Sequence, residues 1–274
     1  MHQLSTSQAV IQRNHIRIIG DNKPTLLFCH GFGCTQHIWQ YLTPALAAHY
    51  QLILFDHVGA GGSDLSAYNP TKYASLEGYA QDVVEICAAL DLHDVVVIGH
   101  SIGATIAMLA AIQAPTYFRQ VMMLSPSPCF INDAGYLGGF ERDDVNQLLT
   151  LMDADYNSWA NMFANLLMGP SNPPSIGEDL AGYFCSMDTT IAKQFARVSF
   201  LSDYRPQVSQ VSVPTVVLQC SEDVVAPREV GDYLLHHLPD ATLVTLRATG
   251  HCPHLSAPVE TLTAMERFLP AMAL

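Results

Sequence analysis

The chain has 274 residues, 49% of them hydrophobic and 14% charged, and sets 12 Lys+Arg against 25 Asp+Glu for a formal net charge of −13. Such a composition buries one large core, which excludes a disordered or fibrous chain. The acidic balance lacks the basic stripe that a phosphate backbone needs, so no nucleic-acid partner is expected, and the absence of any run of eighteen apolar residues argues against a membrane span.

The opening segment, MHQLSTSQAVIQRNHIRIIG, has neither a basic start nor an apolar stretch and does not read as an export signal. Short apolar runs then alternate with helical patterns. TLLFCH precedes a helical pattern over 38–49, QLILFD precedes one over 75–90, and VVVIGHS runs into a small-residue helix before VMMLSP. This rhythm predicts a mostly parallel α/β sheet flanked by helices. It breaks after Pro126 and resumes at PTVVLQCSED, ATLVTLRATGH and an amphipathic helix from about Pro258. The division expected is therefore a core of 1–126 and 206–274 with a helical cap, 127–205, inserted in the same domain. Within the cap, DDVNQLLTLMDADYNSWANMFANLL carries one apolar face at helical spacing, and GPSNPPSIGED reads as a loop.

The segment VVVIGHSIGATIAMLAA sets Ser101 between Gly99 and Gly103 where a buried strand gives way to a helix. A serine on so sharp a turn sits in a strained conformation, and side chains at 99 and 103 would collide with neighbouring elements. Ser101 Oγ is thereby lifted off the carboxyl edge of the sheet over a helix N-terminus. A hydroxyl needs a base and an orienting acid to become a nucleophile, in the chain order Ser, Asp/Glu, His. Asp223 and His251 end the two strands after the cap. Strand alternation turns Glu222 the other way, and His254 stands further past its strand end than His251, which follows Gly250 directly. The developing oxyanion requires two N–H donors, from Ile102 after the nucleophile and from Phe32 in the HGFGCTQ turn.

No cofactor and no metal are expected. GFGCTQ and GAGGSD lack the third glycine of a dinucleotide fingerprint, and His251, Cys252 and His254 have no zinc-ligand spacing. The seven cysteines, with no CxxC pair, read as reduced thiols of a cytoplasmic protein.

Taken together, HGFG, LILFDHVGAGGSD, GYAQDV, GHSIG, SPSPCFIND, GGFE, QFAR, LQCSEDVVAP and GHCPHLS resemble the RsbQ-like α/β-hydrolases, bacterial stress-response regulators grouped with the plant karrikin and strigolactone receptors. The resemblance spans nearly the whole chain. It implies an α/β-hydrolase fold, a triad of Ser101, Asp223 and His251, oxyanion donors at Phe32 and Ile102, and a four-helix cap inserted after the sixth core strand. It also implies an apolar pocket lined by Phe130, Phe140, Trp159, Phe163, Phe184 and Phe200. The function implied is hydrolysis of a small apolar ester or lactone through an acyl-serine, in a signalling protein that activates a partner phosphatase. A ligand sensor for which hydrolysis is incidental is the alternative.

Overall fold

A computed structural model describes residues 6–21 and 24–271; the first five residues of the opening segment lie outside them. Seven strands, β1 (Arg17–Ile19), β2 (Thr25–Cys29), β3 (Gln51–Leu54), β4 (Val95–His100), β5 (Phe118–Leu124), β6 (Thr215–Glu222) and β7 (Ala241–Thr249), form one sheet in the order β1-β3-β2-β4-β5-β6-β7. Only β1 is antiparallel to its neighbour. All six residues of β4 are buried, as a parallel strand covered on both faces requires, which is why VVVIGH is continuously apolar up to its end.

Helices α1 (Thr6–Arg13), α2 (Thr43–Leu46), α3 (Leu76–Ala89) and α4 (Ile102–Gln113) precede the insertion, whose four long helices are α5 (Arg142–Ala154), α6 (Tyr156–Met168), α7 (Pro174–Cys185) and α8 (Thr189–Phe200). The chain closes with α9 (Arg205–Val208), α10 (Arg228–His237), α11 (Pro253–Ser256) and α12 (Pro258–Glu266). Among the described residues the insertion leaves the sheet after β5, the fifth strand in chain order, one strand earlier than expected. The N-terminal segment accounts for the difference: it folds as α1 and contributes only the three-residue β1.

Three local expectations are corrected. The pattern over 38–49 is not one helix but a 3-10 turn, Gln36–Trp39, followed by α2, because Pro44 has no N–H to continue a helix through that point. The long apolar cap run is two helices, divided at Asp155, whose side chain accepts the Ser158 N–H and caps α6. The expected loop 169–179 is partly helical: Pro173 and Pro174 open α7, with proline in the first turn, where no N–H is needed. Arg205 straps the two ends of the insertion together, donating to Asp203 at 2.6 Å and to Asp133 at 2.9 Å.

Candidate active site

At the end of β4 the backbone of Ser101 takes φ 55° and ψ −127°, a conformation that side chains rarely adopt. The flanking glycines make it feasible. A Cβ on Gly99 would lie 2.4 Å from the Ala104 Cα, and one on Gly103 would lie 2.4 Å from the carbonyl oxygens of Cys29 and His30. Neighbouring backbone thus forbids any larger residue at either position. The Ser101 N–H is held by the Leu124 carbonyl of β5 at 2.9 Å, and its hydroxyl is presented above the first turn of α4.

His251 and Asp223 converge on that hydroxyl from β7 and β6. Ser101 Oγ lies 2.6 Å from His251 Nε2, and His251 Nδ1 lies 2.7 Å from Asp223 Oδ2. A carboxylate only accepts, so Nδ1 carries the proton and Nε2 is left as the acceptor for the serine hydroxyl. The other carboxylate oxygen, Asp223 Oδ1, accepts the N–H groups of Val225 and Ala226 at 2.9 and 3.1 Å, which fixes the plane of the acid. His251 is 2% exposed, and Ser101 and Asp223 are each 7% exposed. The hydrogen-bonded line from Ser101 through His251 to Asp223 is therefore shielded from water.

The alternatives weighed in the sequence lie elsewhere. Glu222 is exposed at the end of β6. His254 is buried with its ring 4.8 Å from that of Trp39, and neither nitrogen has a partner; burial and the nearby His251 push it down to about 3. His251, Cys252 and His254 do not converge on a common point, and among the described residues no group of three His, Cys, Asp or Glu is placed to hold a metal ion.

Phe32 and Ile102 flank the hydroxyl from the β2 turn and the start of α4. Among the described residues no protein acceptor takes either N–H; for Ile102 this is usual of the first turn of a helix. Gly33, at φ +72°, keeps the turn tight against the cap, since a Cβ there would meet the Phe184 ring at 1.9 Å. The Phe32 ring is enclosed by Trp159, Phe184, Phe195 and Phe200, with centroids 5.6 to 6.1 Å away.

Sequence reasoning passed over three contributors. His100 donates through Nε2 to the His251 carbonyl at 2.9 Å, Phe195 closes the aromatic cluster around Phe32, and Ser199 stands in the cavity wall. His100 belongs to the GHSIG block, but its value lies in a contact 151 residues away along the chain, which local pattern does not encode.

A profile of the alpha/beta hydrolase family matches residues 26–264. The chain belongs to that family. A karrikin insensitive 2 receptor of Petunia hybrida is 35% identical over 98% of this chain and 96% of its own length. The strigolactone esterase D14 of Arabidopsis thaliana is 33% identical over 95% of this chain and 98% of its own. Among solved structures, a hydrolase from Oleispira antarctica superposes with a TM-score of 0.94 at 41% identity, covering 96% of both chains.

Above Ser101, this α/β-hydrolase encloses a narrow cavity. Its volume is about 20 Å³. Of the aromatics expected there, Phe130, Phe163 and Phe200 line it. Trp159 and Phe184 stand behind that layer, with Trp159 stacked on Phe163 at 5.0 Å and Phe184 against Phe32 at 5.8 Å. Phe140 is not in the wall. It is half-buried in the segment before α5, and its backbone pairs with Phe130 and Asn132 instead. No described helix is long and apolar enough to cross a membrane.

Proposed function

We propose that this protein is a serine hydrolase acting on a small, largely apolar ester or lactone. The observation that carries the reading is the unbroken line from Ser101 Oγ through His251 to Asp223, at 2.6 and 2.7 Å, at the floor of an apolar cavity. In this reading His251 Nε2 takes the hydroxyl proton as Ser101 Oγ attacks the carbonyl carbon, and the oxyanion that forms accepts the N–H groups of Phe32 and Ile102. Collapse expels the alcohol, which receives the proton from His251, and leaves an acyl-serine. Water, deprotonated by the same imidazole, then releases the acid and restores the hydroxyl. Asp223 keeps the ring in one tautomer throughout. No cofactor is required. A fluorophosphonate probe tests the reading: it should label Ser101, located by peptide mass spectrometry, and labelling that persists in Ser101→Ala would refute it.

A signalling role has separate support. The relatives that cover the cap as well as the core include proteins named as receptors. Under this reading the occupied cavity alters the outer cap surface, which a protein partner recognises, a phosphatase if the RsbQ-like resemblance extends to function. Glu141 and Asp144 close the capping box of α5, so the exposed Arg142 and Asp143 are the better surface probes. Affinity capture from lysate of the native host with wild type and with Arg142→Ala/Asp143→Ala is the test. Failure of wild type to enrich a phosphatase or any other protein over the variant rejects the role.

A further inference from the structure

Among the described residues, buried serine and threonine hydroxyls have partners, whereas the phenolic hydroxyls of Tyr68 and Tyr79 do not. Thr105 donates to the Ser127 carbonyl at 2.8 Å, Ser127 to Cys129 at 2.8 Å, and Thr261 to Pro253 at 2.9 Å. Ser199, on α8, is the exception among the serines and threonines, and of the three unpartnered hydroxyls it alone lines the cavity over Ser101: it is 1% exposed, and its Oγ has no partner among the described residues. A hydroxyl within a helix ordinarily turns back to the carbonyl four residues earlier, as Thr150 does to Asn146 and Thr263 to Val259. Ser199 makes no such bond to Phe195. An unpaired buried hydroxyl is destabilising, and protein interiors almost always avoid one.

Its position supplies a reason. Ser199 lines the cavity over Ser101, where the other insertion residues in the wall, Phe130, Phe163, Leu167, Leu180 and Phe200, are all apolar. Under the serine hydrolase reading, Ser101, His251 and the N–H groups of Phe32 and Ile102 are committed to the carbonyl being cleaved. The Ser199 hydroxyl is free to serve another part of the ligand, and it can both donate and accept.

We infer that Ser199 is a specificity-determining residue whose hydroxyl bonds a second oxygen of the ligand, an ether, hydroxyl or ring-carbonyl oxygen remote from the scissile carbonyl. The substrate class is thereby narrowed to compact oxygenated esters or lactones, as against plain alkanoates. A site with a buried polar group discriminates strongly against a ligand that leaves it unpaired, whereas an all-apolar wall discriminates weakly. The reaction half of this inference rests on the proposed function; the recognition half does not.

The test uses pairs of 4-nitrophenyl esters matched in shape, methoxyacetate against butanoate and 3-methoxypropanoate against pentanoate. The ratio of kcat/KM between members of a pair is compared in wild type and Ser199→Ala, so that intrinsic ester reactivity cancels. The ratio should fall about tenfold in the variant for at least one pair; ratios unchanged in both pairs overturn the inference. Calorimetric titration of the same esters into Ser101→Ala and Ser101→Ala/Ser199→Ala needs no turnover. There the Kd of the oxygenated member should rise about tenfold on loss of the Ser199 hydroxyl, and equal affinities, or no binding, overturn it. Preference dependent on Ser199 without any hydrolysis by wild type would defeat the hydrolase reading alone. Hydrolysis with no such preference would defeat this inference alone. A Ser199→Ala melting temperature equal to or above that of wild type fits a hydroxyl held for a ligand. A fall of several degrees assigns it a structural partner and overturns the inference.

Discussion

The peptide N–H of His251 donates to the carbonyl oxygen of Leu167 at 2.7 Å, so the loop carrying the imidazole hangs from the last turn of a cap helix. Asn172 strengthens the join, its side-chain amide donating to Met168 O at 2.6 Å and to Thr249 O at 2.9 Å. Cap and candidate base are therefore joined directly by hydrogen bonds. A displacement of α6 that widened the cavity would also shift the ring that, in the proposed reaction, takes the Ser101 proton.

Gly250 is where this coupling is most exposed to mutation. It sits at φ +79°, and a Cβ there would lie 2.4 Å from the Met168 carbonyl oxygen. Gly250→Ala should lose about 2 kcal/mol or more of stability through backbone strain and the forced separation from α6. Misplacing His251 should also lower kcat on 4-nitrophenyl acetate by at least about tenfold. Urea denaturation and steady-state kinetics read the two effects. A variant with wild-type kcat would show that α6 does not position the base.

The two histidines of the GHCPH turn should behave in opposite ways. His251→Ala removes the proton acceptor and should reduce kcat by roughly three orders of magnitude or more, as loss of a triad member commonly does. Among the described residues His254 has no hydrogen bond to Ser101 or Asp223, and both of its buried nitrogens are unpaired. His254→Leu should retain hydrolysis and match or exceed wild-type stability, because an apolar side chain replaces an unsatisfied polar one. Comparable losses of activity in both variants would mean that His254 acts in the reaction.

Much of this was legible in the sequence because the relevant constraints are local. Gly99, Ser101 and Gly103 define one turn, and Asp223 and His251 each mark a strand end. Short apolar runs also suffice to locate β2 through β7. What was not legible depends on contacts distant along the chain. Nothing in GGFE distinguishes Phe140, which pairs its backbone with Phe130 and Asn132, from Phe163, which lines the cavity. Nothing local to VSF reveals that the Ser199 hydroxyl ends without a partner. The errors in helix extent arise at Pro44 and Asp155, where a proline or a capping side chain interrupts a hydrophobic period that continues through it, and at Pro174, where a proline that reads as a loop residue instead occupies the first turn of a helix.

Stability should fall on mild acidification, before carboxylates titrate. Burial lowers the pKa of His30, against the opposing pull of Asp56, and lowers those of His57, His100 and His254, the last to about 3. The unfolded chain binds these protons near pH 6.5 while the folded chain does not. Their contribution is therefore complete above about pH 6.5 and is lost as pH falls below it, by up to about 1.4 kcal/mol per pH unit for each group. The melting temperature should drop between pH 7 and pH 5, and His254→Leu should lessen the slope. Melting temperatures that are flat across that window would show that these rings are protonated in the folded protein.

The narrow cavity makes a prediction about acyl length. The cavity above Ser101, about 20 Å³, has room for little more than a water molecule, so even a short acyl group requires the aromatic wall to give. The wall is braced: Phe163 stacks on Trp159 at 5.0 Å and meets Phe200 edge-on at 5.5 Å. Each further methylene must displace rings that support one another, and the favourable transfer of about 0.8 kcal/mol per methylene does not offset that strain for long chains. Wild type should hydrolyse 4-nitrophenyl acetate and butanoate and show kcat/KM falling by at least about a hundredfold at decanoate. Phe163→Ala should shift the optimum toward longer chains at a stability cost of about 3–5 kcal/mol, with rates measured at a temperature where denaturation curves show both proteins folded. If decanoate is hydrolysed as efficiently as butanoate by wild type, the cap opens without resistance and the aromatic wall does not set substrate size.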